Sequence, residues 1–519
     1  MRRDALADRV CGLLMFGFDG TAPEDVPGDL IARAAGAILF ARNLVNPVQA
    51  RALIDSIAGA SGDAARPLVA IDEEGGPVSH LSAVATPMPS AMAMAAAGDL
   101  QLTQRAYAAI GRELAALGFN LDLAPVADLN DEPRNPIIGL RSFGDQPDRV
   151  SDHVAAAIRG LHAAGIAAIA KHFPGHGSTV EDSHLGLPVV EFESERTRAA
   201  HLAPFRAAVA AGADAVMTAH VAFPALDPSG SAATLSRPII DGVLRSELGF
   251  DGVVCSDAME MRAVAGAHDP ASAALAALDA GVDVLLYGNV RDARSALDGL
   301  RAAAFDGSLA QERIDRSLDR ITRLRERLGP RPREAPETDQ DCRALAADIA
   351  RRAITLVRDS GRLLPLRLAA GTRLFVANFS ETGSKSTARV SSVIGKALAA
   401  SGARVQEQQR ELDPAGHGYK QLLMAATASD AIIAVTRSLA MHPLQARAAS
   451  DLALLGKPLV VVAAREPYDA AFVPDEASVV ASFGDSGLAL EAAADVLLGR
   501  SQARGSLPVD VRANVGAGS

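Results

Sequence analysis

Short apolar runs alternate with longer amphipathic stretches through about the first two thirds of the chain. Eight runs have the length and aliphatic composition of strands buried on both faces. They cover residues 12–18, 37–41, 67–72, 121–126, 166–172, 215–220, 252–257 and 282–287. Between most of them, room remains for helices, such as residues 101–117, 150–164, 198–211 and 270–280. Strands that alternate with helices form a parallel sheet, and eight such units predict a (β/α)8 barrel of the TIM type.

The remainder of the chain resumes the alternation after a break at residues 328–344, which are rich in proline and charge, as in a linker. A helix is predicted over residues 344–358, and the tail after Gly499 is predicted to be extended or frayed. Strands are predicted at residues 373–378, 431–436, 458–463 and 478–483, with amphipathic segments at 388–400 and 444–455. This pattern predicts an α/β sandwich with a mostly parallel sheet. The predicted division is a barrel domain over residues 1–335, a linker region over 336–346 and a C-terminal α/β sandwich domain over 347–519.

Several of the barrel strands end in a polar residue. In a barrel of parallel strands, the carboxyl ends converge on one mouth, where the active site lies. Any one of these residues alone could be a structural polar group, but a repeated position at the strand end predicts a shared site. The residues are Asp72, Lys171, His172, His220 and Asp257.

The predicted strand at residues 166–172 runs into a loop punctuated by one proline and several glycines. His176 lies between two of the glycines, which favours a role in shaping the loop, and Glu181 is predicted to be solvated. Asp182 and His184 are two residues apart, so they share a face of an extended segment. A carboxylate beside an imidazole fixes its tautomer and raises its basicity. An acid/base dyad is favoured over a metal site, because no second histidine cluster at ligand spacing occurs elsewhere in the sequence.

Charge and composition narrow the class of partner. The formal net charge is −11 with both signs interspersed, which argues against nucleic acid or an anionic membrane as partner. Three cysteines far apart in sequence imply no disulfide framework and fit a reducing compartment. We expect a cytoplasmic protein, since the first residues carry charge throughout and no apolar run reaches spanning length. No glycine-rich nucleotide signature stands in the second domain, and we predict no metal ion or other cofactor.

Several motifs resemble those of family 3 glycoside hydrolases, specifically of their β-N-acetylglucosaminidase branch. The most specific are Lys-His-Phe-Pro-Gly-His-Gly at residues 171–177, Asp-Ser-His at 182–184 and Ser-Asp-Ala-Met-Glu-Met at 256–261. Further segments that resemble the family lie at residues 37–43, 71–76, 124–128 and 141–144, and, more weakly, in the second domain at 353–358 and 363–366. The resemblance spans nearly the whole chain.

The resemblance implies a role for each residue that matches a family motif. Asp257 corresponds to the nucleophile and His184 to the general acid/base, with Asp182 as the partner of His184. Sugar contacts are implied for Asp72, Arg141, Lys171 and His172. The implied activity is that of a retaining exo-β-N-acetylglucosaminidase that cleaves terminal β-linked N-acetylglucosamine through a glycosyl-enzyme intermediate. An imidazole, with an ordinary pKa of about 6.5, suits acid/base duty at neutral pH.

Three positions depart from the usual motif, which continues Gly-Gly with Arg-Val-x-Arg. Pro77 and His80 replace the two arginines, and Glu73 stands where the family has glutamine. Two basic groups are thus lost near the predicted mouth and one acid is added. The resemblance implies peptidoglycan recycling, whereas these departures predict an aglycone subsite different from one that takes muropeptide-type substrates.

Other functions remain open at the level of sequence. With histidine as the proton donor, phosphate could attack the intermediate, which would make the enzyme a β-N-acetylglucosaminide phosphorylase. A β-glycosidase for another sugar is disfavoured by the Asp-x-His loop, and a catalytically silent sugar-binding protein is disfavoured by the presence of Asp257 and His184. The expected partner is a small carbohydrate, with phosphate as a possible second substrate. The oligomeric state is expected to be a monomer or a homodimer.

Overall fold

The computed structural model describes residues 3–60, 66–328, 341–369, 371–381 and 392–512. The first part of the chain contributes eight buried strands to one sheet. They are β1 (Leu14–Phe16), β2 (Gly36–Ile38), β3 (Leu68–Ile71), β4 (Leu121–Asp122), β5 (Ala167–Phe173), β6 (Ala215–Thr218), β7 (Val253–Ser256) and β8 (Leu285–Tyr287). Six of the eight predicted apolar runs contain one of these strands, and the runs at residues 37–41 and 166–172 overlap theirs with one strand residue left outside.

The sheet closes into a barrel. Each strand from β1 to β6 pairs in parallel with the next, and β8 pairs in parallel with β1. A bridge between Cys255 and Val284 joins β7 to the residue before β8. The (β/α)8 barrel predicted from the apolar pattern is therefore confirmed, and its strands are aligned so that their carboxyl ends meet at one mouth.

Helices and short turns of helix surround the barrel. Among the residues that the structure describes, no helix is both long enough and apolar enough to cross a lipid bilayer. The α-helices are Arg3–Arg9, Gly28–Ile31, Pro47–Ala60, Ala91–Ala96, Leu100–Leu117, Pro147–Ala163, Glu195–Ala210, Arg262–Ala265, Pro270–Ala280, Val290–Asp306 and Gln311–Leu328. A π-helix spans Pro238–Glu247, and 3₁₀ turns include Ala41–Asn43 and Gly139–Arg141.

Local sequence explains where these helices begin, end and pack. Helix Leu100–Leu117 begins after Asp99, whose carboxylate accepts the N–H of Gln101, and ends at Gly118 with a φ of 104°. That left-handed conformation is one that glycine adopts at little cost. Helix Pro147–Ala163 lies so close to its neighbour that a side chain at Gly160 would meet the carbonyl oxygen of Gln104 at 2.4 Å. Small residues therefore set the spacing of the helix layer, in keeping with the alanine-rich composition.

The second domain is built on a six-stranded sheet. Its strands are β9 (Thr355–Arg358), β10 (Arg373–Phe379), β11 (Arg404–Arg410), β12 (Ala431–Thr436), β13 (Leu459–Ala463) and β14 (Ser478–Ala481). Their spatial order is β9-β14-β13-β12-β10-β11, and all neighbours are parallel except β9 and β14. One apolar cluster covers a face of the sheet beneath helices Val393–Ala400 and Gly487–Leu497, and another covers the opposite face beneath Gly416–Thr427 and Pro443–Ala453. Helix Cys342–Ala353 instead buries most of its apolar side chains in the core of the barrel. The predicted α/β sandwich is confirmed.

Two details of this domain differ from the sequence-based expectation. The helix predicted over residues 344–358 ends at Ala353, and Thr355–Arg358 then forms an edge strand. The edge strand Arg404–Arg410 was not predicted, because it is almost entirely polar. Residues 336–340 of the predicted linker, 388–391 of the predicted amphipathic segment and 513–519 of the tail lie outside the described residues, and the domain boundary remains a prediction.

The two domains meet along the carboxyl edge of the second sheet. Ser90 donates a hydrogen bond of 2.7 Å to the carbonyl oxygen of Phe483. Leu140 packs with Phe483 and Tyr468 in a shared apolar cluster. The segment after the last helix returns to the barrel, where the carbonyl oxygen of Leu507 accepts from Arg149 at 2.8 Å. The second domain thus contacts the same face of the barrel onto which the strand ends open.

Candidate active site

The carboxyl ends of the barrel strands surround a cavity of about 710 Å³. Apolar side chains, including Phe40, Leu123, Met217 and Leu286, form part of its wall. A concave site with a few convergent polar groups is typical of a small-molecule binding site. The charged and imidazole side chains that line it are Arg42, Asp72, His80, Arg141, Lys171, His172, His176, His184, Asp257, Glu260 and Arg262.

Two cations and two carboxylates form a cluster on one side of this cavity. The Nζ atom of Lys171 lies 2.6 Å from Oδ1 of Asp72 and 2.5 Å from Oε1 of Glu74. Arg141 donates from Nε and Nη2 to the two carboxylate oxygens of Glu74, at 2.8 and 2.9 Å. Bidentate pairing of this kind fixes the plane of the guanidinium as well as its position. The cluster therefore presents Asp72, Lys171 and Arg141 to the cavity in one defined arrangement.

Glu74 and Lys171 of this cluster keep their charges at neutral pH. Burial alone would raise the pKa of Glu74, but Arg141 and Lys171 outweigh it and hold the pKa at about 2. Burial would likewise lower the pKa of Lys171, but Asp72 and Glu74 raise it above its ordinary value. Removing one partner would leave an uncompensated buried charge, which costs about 3–5 kcal/mol.

His172 is oriented by Asp128, a carboxylate buried beneath the cavity. The Nδ1 atom of His172 lies 2.7 Å from Oδ2 of Asp128, and the backbone N–H of His176 donates to Oδ1 at 2.8 Å. The Nε2 atom of His172 lies 3.3 Å from Nη2 of Arg141, which can only donate. Asp128 thus holds the proton on Nδ1, and Nε2 of His172 faces the guanidinium of Arg141.

Asp257 directly follows β7 and lines the cavity. Its Oδ1 atom accepts the backbone N–H of Ala258 at 2.7 Å. Burial alone would raise the pKa of Asp257, but the imidazoles of His220 and His172, the Ala258 N–H and the Lys171 ammonium lower it below its ordinary value. The carboxylate is therefore ionised at neutral pH, as a nucleophile must be.

His220 is the one strand-end residue of the predicted set that does not line the cavity. It is fully buried, with Nε2 at 3.0 Å from the carbonyl oxygen of Ala258 and Nδ1 at 2.8 Å from Oγ1 of Thr234. Since a carbonyl oxygen only accepts, Nε2 carries the proton. The imidazole thereby supports the backbone next to Asp257. His220 thus lies at the carboxyl end of the barrel next to Asp257, as its position predicts, but it does not line the cavity, because both its nitrogens are used in these contacts.

The loop after β5 is held by His176. Its Nδ1 atom lies 3.0 Å from Oγ1 of Thr179, and its Nε2 atom lies 3.0 Å from Oγ of Ser183. Burial lowers the pKa of His176 to about 4, so the ring is neutral and joins two points of the loop. Asn135 secures the same loop from outside by donating to the carbonyl oxygen of His176 at 2.9 Å. These contacts agree with the prediction that His176 shapes the loop.

Asp182 and His184 form a hydrogen-bonded pair at the rim. Oδ1 of Asp182 lies 2.7 Å from both the backbone nitrogen and the Nδ1 atom of His184. The carboxylate holds the proton on Nδ1, which leaves Nε2 as the nitrogen that can exchange a proton with a ligand. The side chain of His184 is 60% exposed, and Val180, Leu185 and Val189 beside it are also exposed. The pair therefore lies on the outermost part of the site.

The structure brings six of the seven predicted site residues to one cavity, and the seventh, Asp182, reaches it only through His184. Two residues that organise the site were not singled out from sequence. Glu74 anchors Arg141 and Lys171, and Asp128 orients His172. Both lie in segments that resemble the family, at residues 71–76 and 124–128. The sequence therefore marked these segments, but it did not show which side chains Glu74 and Asp128 contact.

The three departures from the usual motif lie in or beside a hairpin of strands Glu73–Gly75 and Val78–Ser79. Glu73 is buried, and its Oε2 atom accepts from Oγ of Ser79 and the N–H of Leu81, both at 3.0 Å. It therefore adds no acid to the cavity wall, contrary to the expectation. His80 does line the cavity, with its ring edge-on to Phe40, whereas Pro77 lines a separate cavity between the domains.

Replacing Glu73 with glutamine is expected to stabilise the protein at alkaline pH. Burial raises the pKa of Glu73 to about 7, above the ordinary value of about 4.3. Between these values the folded state binds more protons than the unfolded state, so stability falls as pH rises. Above neutrality the penalty is complete, at about 3–4 kcal/mol. Thermal unfolding followed by circular dichroism should show a Glu73→Gln melting temperature higher than wild type at pH 8 and equal to it at pH 4.

The matched control is Glu181→Gln, which alters an exposed glutamate on the neighbouring loop. Its melting temperature should follow the wild type at both pH values. A Glu73→Gln variant that is less stable than wild type at pH 8 would show that the hydrogen bonds to Ser79 and Leu81 need a carboxylate.

Comparison with known proteins places the chain among carbohydrate-active enzymes. Residues 8–324 match the model of the glycosyl hydrolase family 3 N-terminal domain. The chain is 31% identical to β-hexosaminidase A of Pseudoalteromonas piscicida, over 95% of this chain and 92% of that protein. It is 40% identical to a β-hexosaminidase of Pseudomonas aeruginosa, over 54% of this chain and 83% of that protein.

A solved structure extends the likeness to both domains. The glycoside hydrolase family 3 β-N-acetylglucosaminidase of Paenibacillus sp. str. FPU-7 aligns with a TM-score of 0.90 and 35% sequence identity. The alignment covers 98% of this chain and 99% of the Paenibacillus chain. The likeness therefore includes the second domain as well as the barrel.

Proposed function

The chain belongs to glycosyl hydrolase family 3, and from this premise we propose that it is a retaining exo-β-N-acetylglucosaminidase. The observation that carries the proposal is the single cavity in which an ionised carboxylate, Asp257, shares the wall with the rim histidine His184 and the cluster of Asp72, Lys171 and Arg141. An enzyme of this kind needs an anion at one face of the anomeric carbon and a proton donor at the leaving oxygen.

In the first step, the sugar is transferred from the aglycone to the enzyme. The carboxylate of Asp257 attacks C1 from below the ring, while Nε2 of His184 donates its proton to the glycosidic oxygen. The bond between C1 and that oxygen breaks, and the aglycone leaves as a neutral alcohol. Asp182 stabilises the imidazolium that the step requires, because its carboxylate accepts the Nδ1 hydrogen at 2.7 Å.

In the second step, the glycosyl-enzyme is hydrolysed. The histidine, now neutral, takes a proton from a water molecule, whose oxygen attacks C1 from above the ring. The bond to Asp257 breaks, the carboxylate is regenerated, and His184 regains its proton for the next cycle. Two displacements at C1 leave the released sugar in the β configuration of the substrate.

Asp72, Arg141, Lys171 and His172 would bind the hydroxyl groups of the sugar. The fixed arrangement of this cluster supports such a role, since remote contacts accelerate a reaction by holding a near-attack geometry. Asp72 supplies acceptor oxygens, whereas Lys171 and Arg141 supply only donors. The exposed position of His184 on a loop further suggests that the donor moves toward the anomeric oxygen when a substrate occupies the cavity.

A panel of aryl β-glycosides that differ at C2 tests the proposed activity. We expect the N-acetylglucosaminide to be hydrolysed at least about tenfold faster, in kcat/KM, than the glucoside or the xyloside, and proton NMR should show the β anomer as first product. Parallel assays with inorganic phosphate separate hydrolysis from phosphorolysis. With a phosphorylase, added phosphate would raise the turnover rate and the product would be the sugar 1-phosphate. Preferential cleavage of the glucoside, or a flat time course with every glycoside, would contradict the proposal.

The proposal extends to a cytoplasmic enzyme that takes part in peptidoglycan recycling. The resemblance to the β-N-acetylglucosaminidase branch supports this role, and the low number of cysteines, three in 519 residues, is compatible with a reducing compartment. Rates with a muropeptide-type substrate and with chitobiose should be compared, because His80 replaces a basic residue at the cavity wall. A clear preference for chitobiose would contradict a role in peptidoglycan recycling and would favour chitin fragments as the natural substrates.

A further inference from the structure

The second domain contacts the short segment that carries Arg141 into the cavity. Tyr468, which is buried, donates its hydroxyl hydrogen to the carbonyl oxygen of Asn130 at 2.8 Å. The same hydroxyl oxygen accepts from Nδ2 of Asn130 at 3.1 Å. The Oδ1 atom of Asn130 in turn accepts the N–H of Gly139 at 3.0 Å. A chain of hydrogen bonds thus leads from the second domain to the 3₁₀ turn Gly139–Arg141.

Packing at the same turn leaves little room for another arrangement. Gly139 has a positive φ of 44°, and a Cβ atom there would meet Oε1 of Glu466 at 2.4 Å. The next residue, Leu140, is buried in the apolar cluster shared by the two domains, together with Tyr468 and Phe483. The backbone of the turn is therefore held on the side of the second domain by both polar and apolar contacts.

The other side of the turn faces the cavity. Arg141 lies there with its guanidinium fixed by Glu74 and by the carbonyl oxygen of Ile137, which accepts from Nη1 at 3.1 Å. Glu74 fixes the end of the side chain, but it does not fix the backbone from which the side chain starts. That backbone is set by Asn130 and by the contacts of the second domain.

We propose that Tyr468 is a positioning residue for substrate binding, which acts through Asn130 and the Gly139–Arg141 turn on the guanidinium of Arg141. The inference rests on the proposed function, in which Arg141 contacts the sugar. It assigns the second domain a part in the site although none of its described residues lines the cavity. A shift of the turn would weaken the contact of Arg141 with the sugar equally in the bound substrate and in the transition state, which raises KM and leaves kcat nearly unchanged.

The Tyr468→Phe variant tests this inference, because it removes only the hydroxyl group. We expect KM for the aryl N-acetylglucosaminide and the inhibition constant of free N-acetylglucosamine to rise about tenfold, with kcat changed less than twofold. A tenfold change corresponds to about 1.4 kcal/mol, which is within the cost of one unsatisfied buried polar group. Measurements at 25 °C on protein shown by circular dichroism to be folded separate this effect from a loss of stability.

The matched control is Arg149→Ala, which removes another hydrogen bond between the domains, to Leu507, and leaves the Gly139–Arg141 turn in place. Its KM should equal that of the wild type. Glu466→Ala provides a second variant at a partly exposed position, with an expected rise in KM of about threefold. If Tyr468→Phe does not fold, Glu466→Ala decides the question by itself.

Arg141→Lys separates the failure of this inference from the failure of the proposed function. If Arg141→Lys leaves the inhibition constant unchanged, Arg141 does not contact the sugar. The role of Arg141 in the proposed function is then wrong, and so is the inference about Tyr468. If Arg141→Lys weakens binding but Tyr468→Phe and Glu466→Ala do not, only the inference is overturned. In the double variant, the effect of Tyr468→Phe should largely disappear, since both changes act on one contact.

Discussion

Replacing Asp257 with alanine is expected to lower kcat for the aryl N-acetylglucosaminide by at least about 10⁴-fold, since loss of a nucleophile typically has effects of this size or larger. The carboxylate lies at the carboxyl end of β7 in the wall of the cavity, and its lowered pKa keeps it ionised. Of the described residues that line the cavity, the other two carboxylates are engaged elsewhere: Asp72 is paired with Lys171, and Glu260 accepts from the N–H of Gly288. The melting temperature should change little, since Asp257 makes no ion pair that the structure describes.

Azide can distinguish a missing nucleophile from a damaged site. In the Asp257→Ala cavity, azide can attack C1 from the face where the carboxylate stood, and the expected product is the α-glycosyl azide, identified by NMR. In the unaltered enzyme, a slow fluoroglycoside should leave a covalent label on the peptide that contains Asp257, detected by mass spectrometry. A label on Asp72, or retention of more than about 1% of kcat in Asp257→Ala, would falsify the assignment.

The barrel could be predicted from sequence because two simple regularities coincide in it. Its strands are buried on both faces, so each reads as a short continuous apolar run, and glycine or polar residues mark where the run ends. Ile166 to Ala170 and Val253 to Cys255 are examples, and both lie within or beside observed strands. The parallel order then follows from the helices between the runs.

The edge strand Arg404–Arg410 is an element that the pattern of apolar runs does not predict. It has almost no apolar residues, yet Glu407, Gln408 and Arg410 are buried. Their burial depends on specific hydrogen bonds, such as that from Arg410 to Oε1 of Gln408 and that from the N–H of Ser392 to Glu407. Such contacts join positions whose pairing no periodicity reveals, so the strand is visible only in the folded structure.

The residues of the site also fall into those that the sequence pattern predicts and those that it does not. The rule that polar residues end barrel strands located Asp72, Lys171 and Asp257 without reference to any relative. It could not identify Glu74 or Asp128, because the importance of each depends on a partner far along the chain. Arg141 lies 67 residues after Glu74, and His172 lies 44 residues after Asp128.

His220 lies at the expected end of the barrel but does not line the cavity. It occupies the same strand-end position as the residues that do face the cavity, but hydrogen bonds to Thr234 and Ala258 turn it beneath Asp257. Position along a strand therefore predicts which end of the barrel a residue occupies. Whether its side chain reaches the cavity is decided by the hydrogen bonds available around it.

Replacing His184 with alanine is expected to affect substrates according to their leaving group. A general acid typically contributes about 10²–10⁴-fold, and this contribution is needed only when the departing oxygen is strongly basic. Chitobiose or an alkyl glycoside should therefore lose about 10³-fold in kcat/KM, whereas a dinitrophenyl glycoside should lose less than about tenfold. Initial rates across a series of aryl glycosides should give a steeper dependence on leaving-group pKa for the variant than for the wild type.

The second step provides an independent check on the same residue. Without the base, water attacks the glycosyl-enzyme slowly, so a dinitrophenyl glycoside should give a burst followed by a slow steady rate. Azide needs no base and should restore turnover with the β-glycosyl azide as product, the opposite anomer to that expected from Asp257→Ala.

His268→Ala, outside the cavity wall, serves as the control and should behave as wild type. For Asp182→Asn, the loss of kcat/KM on chitobiose should lie between that of the wild type and that of His184→Ala. This variant weakens the hydrogen bond of 2.7 Å to His184 but keeps the imidazole. Equal losses on chitobiose and on the dinitrophenyl glycoside would refute the role of His184, because a group that only holds the sugar serves both substrates alike.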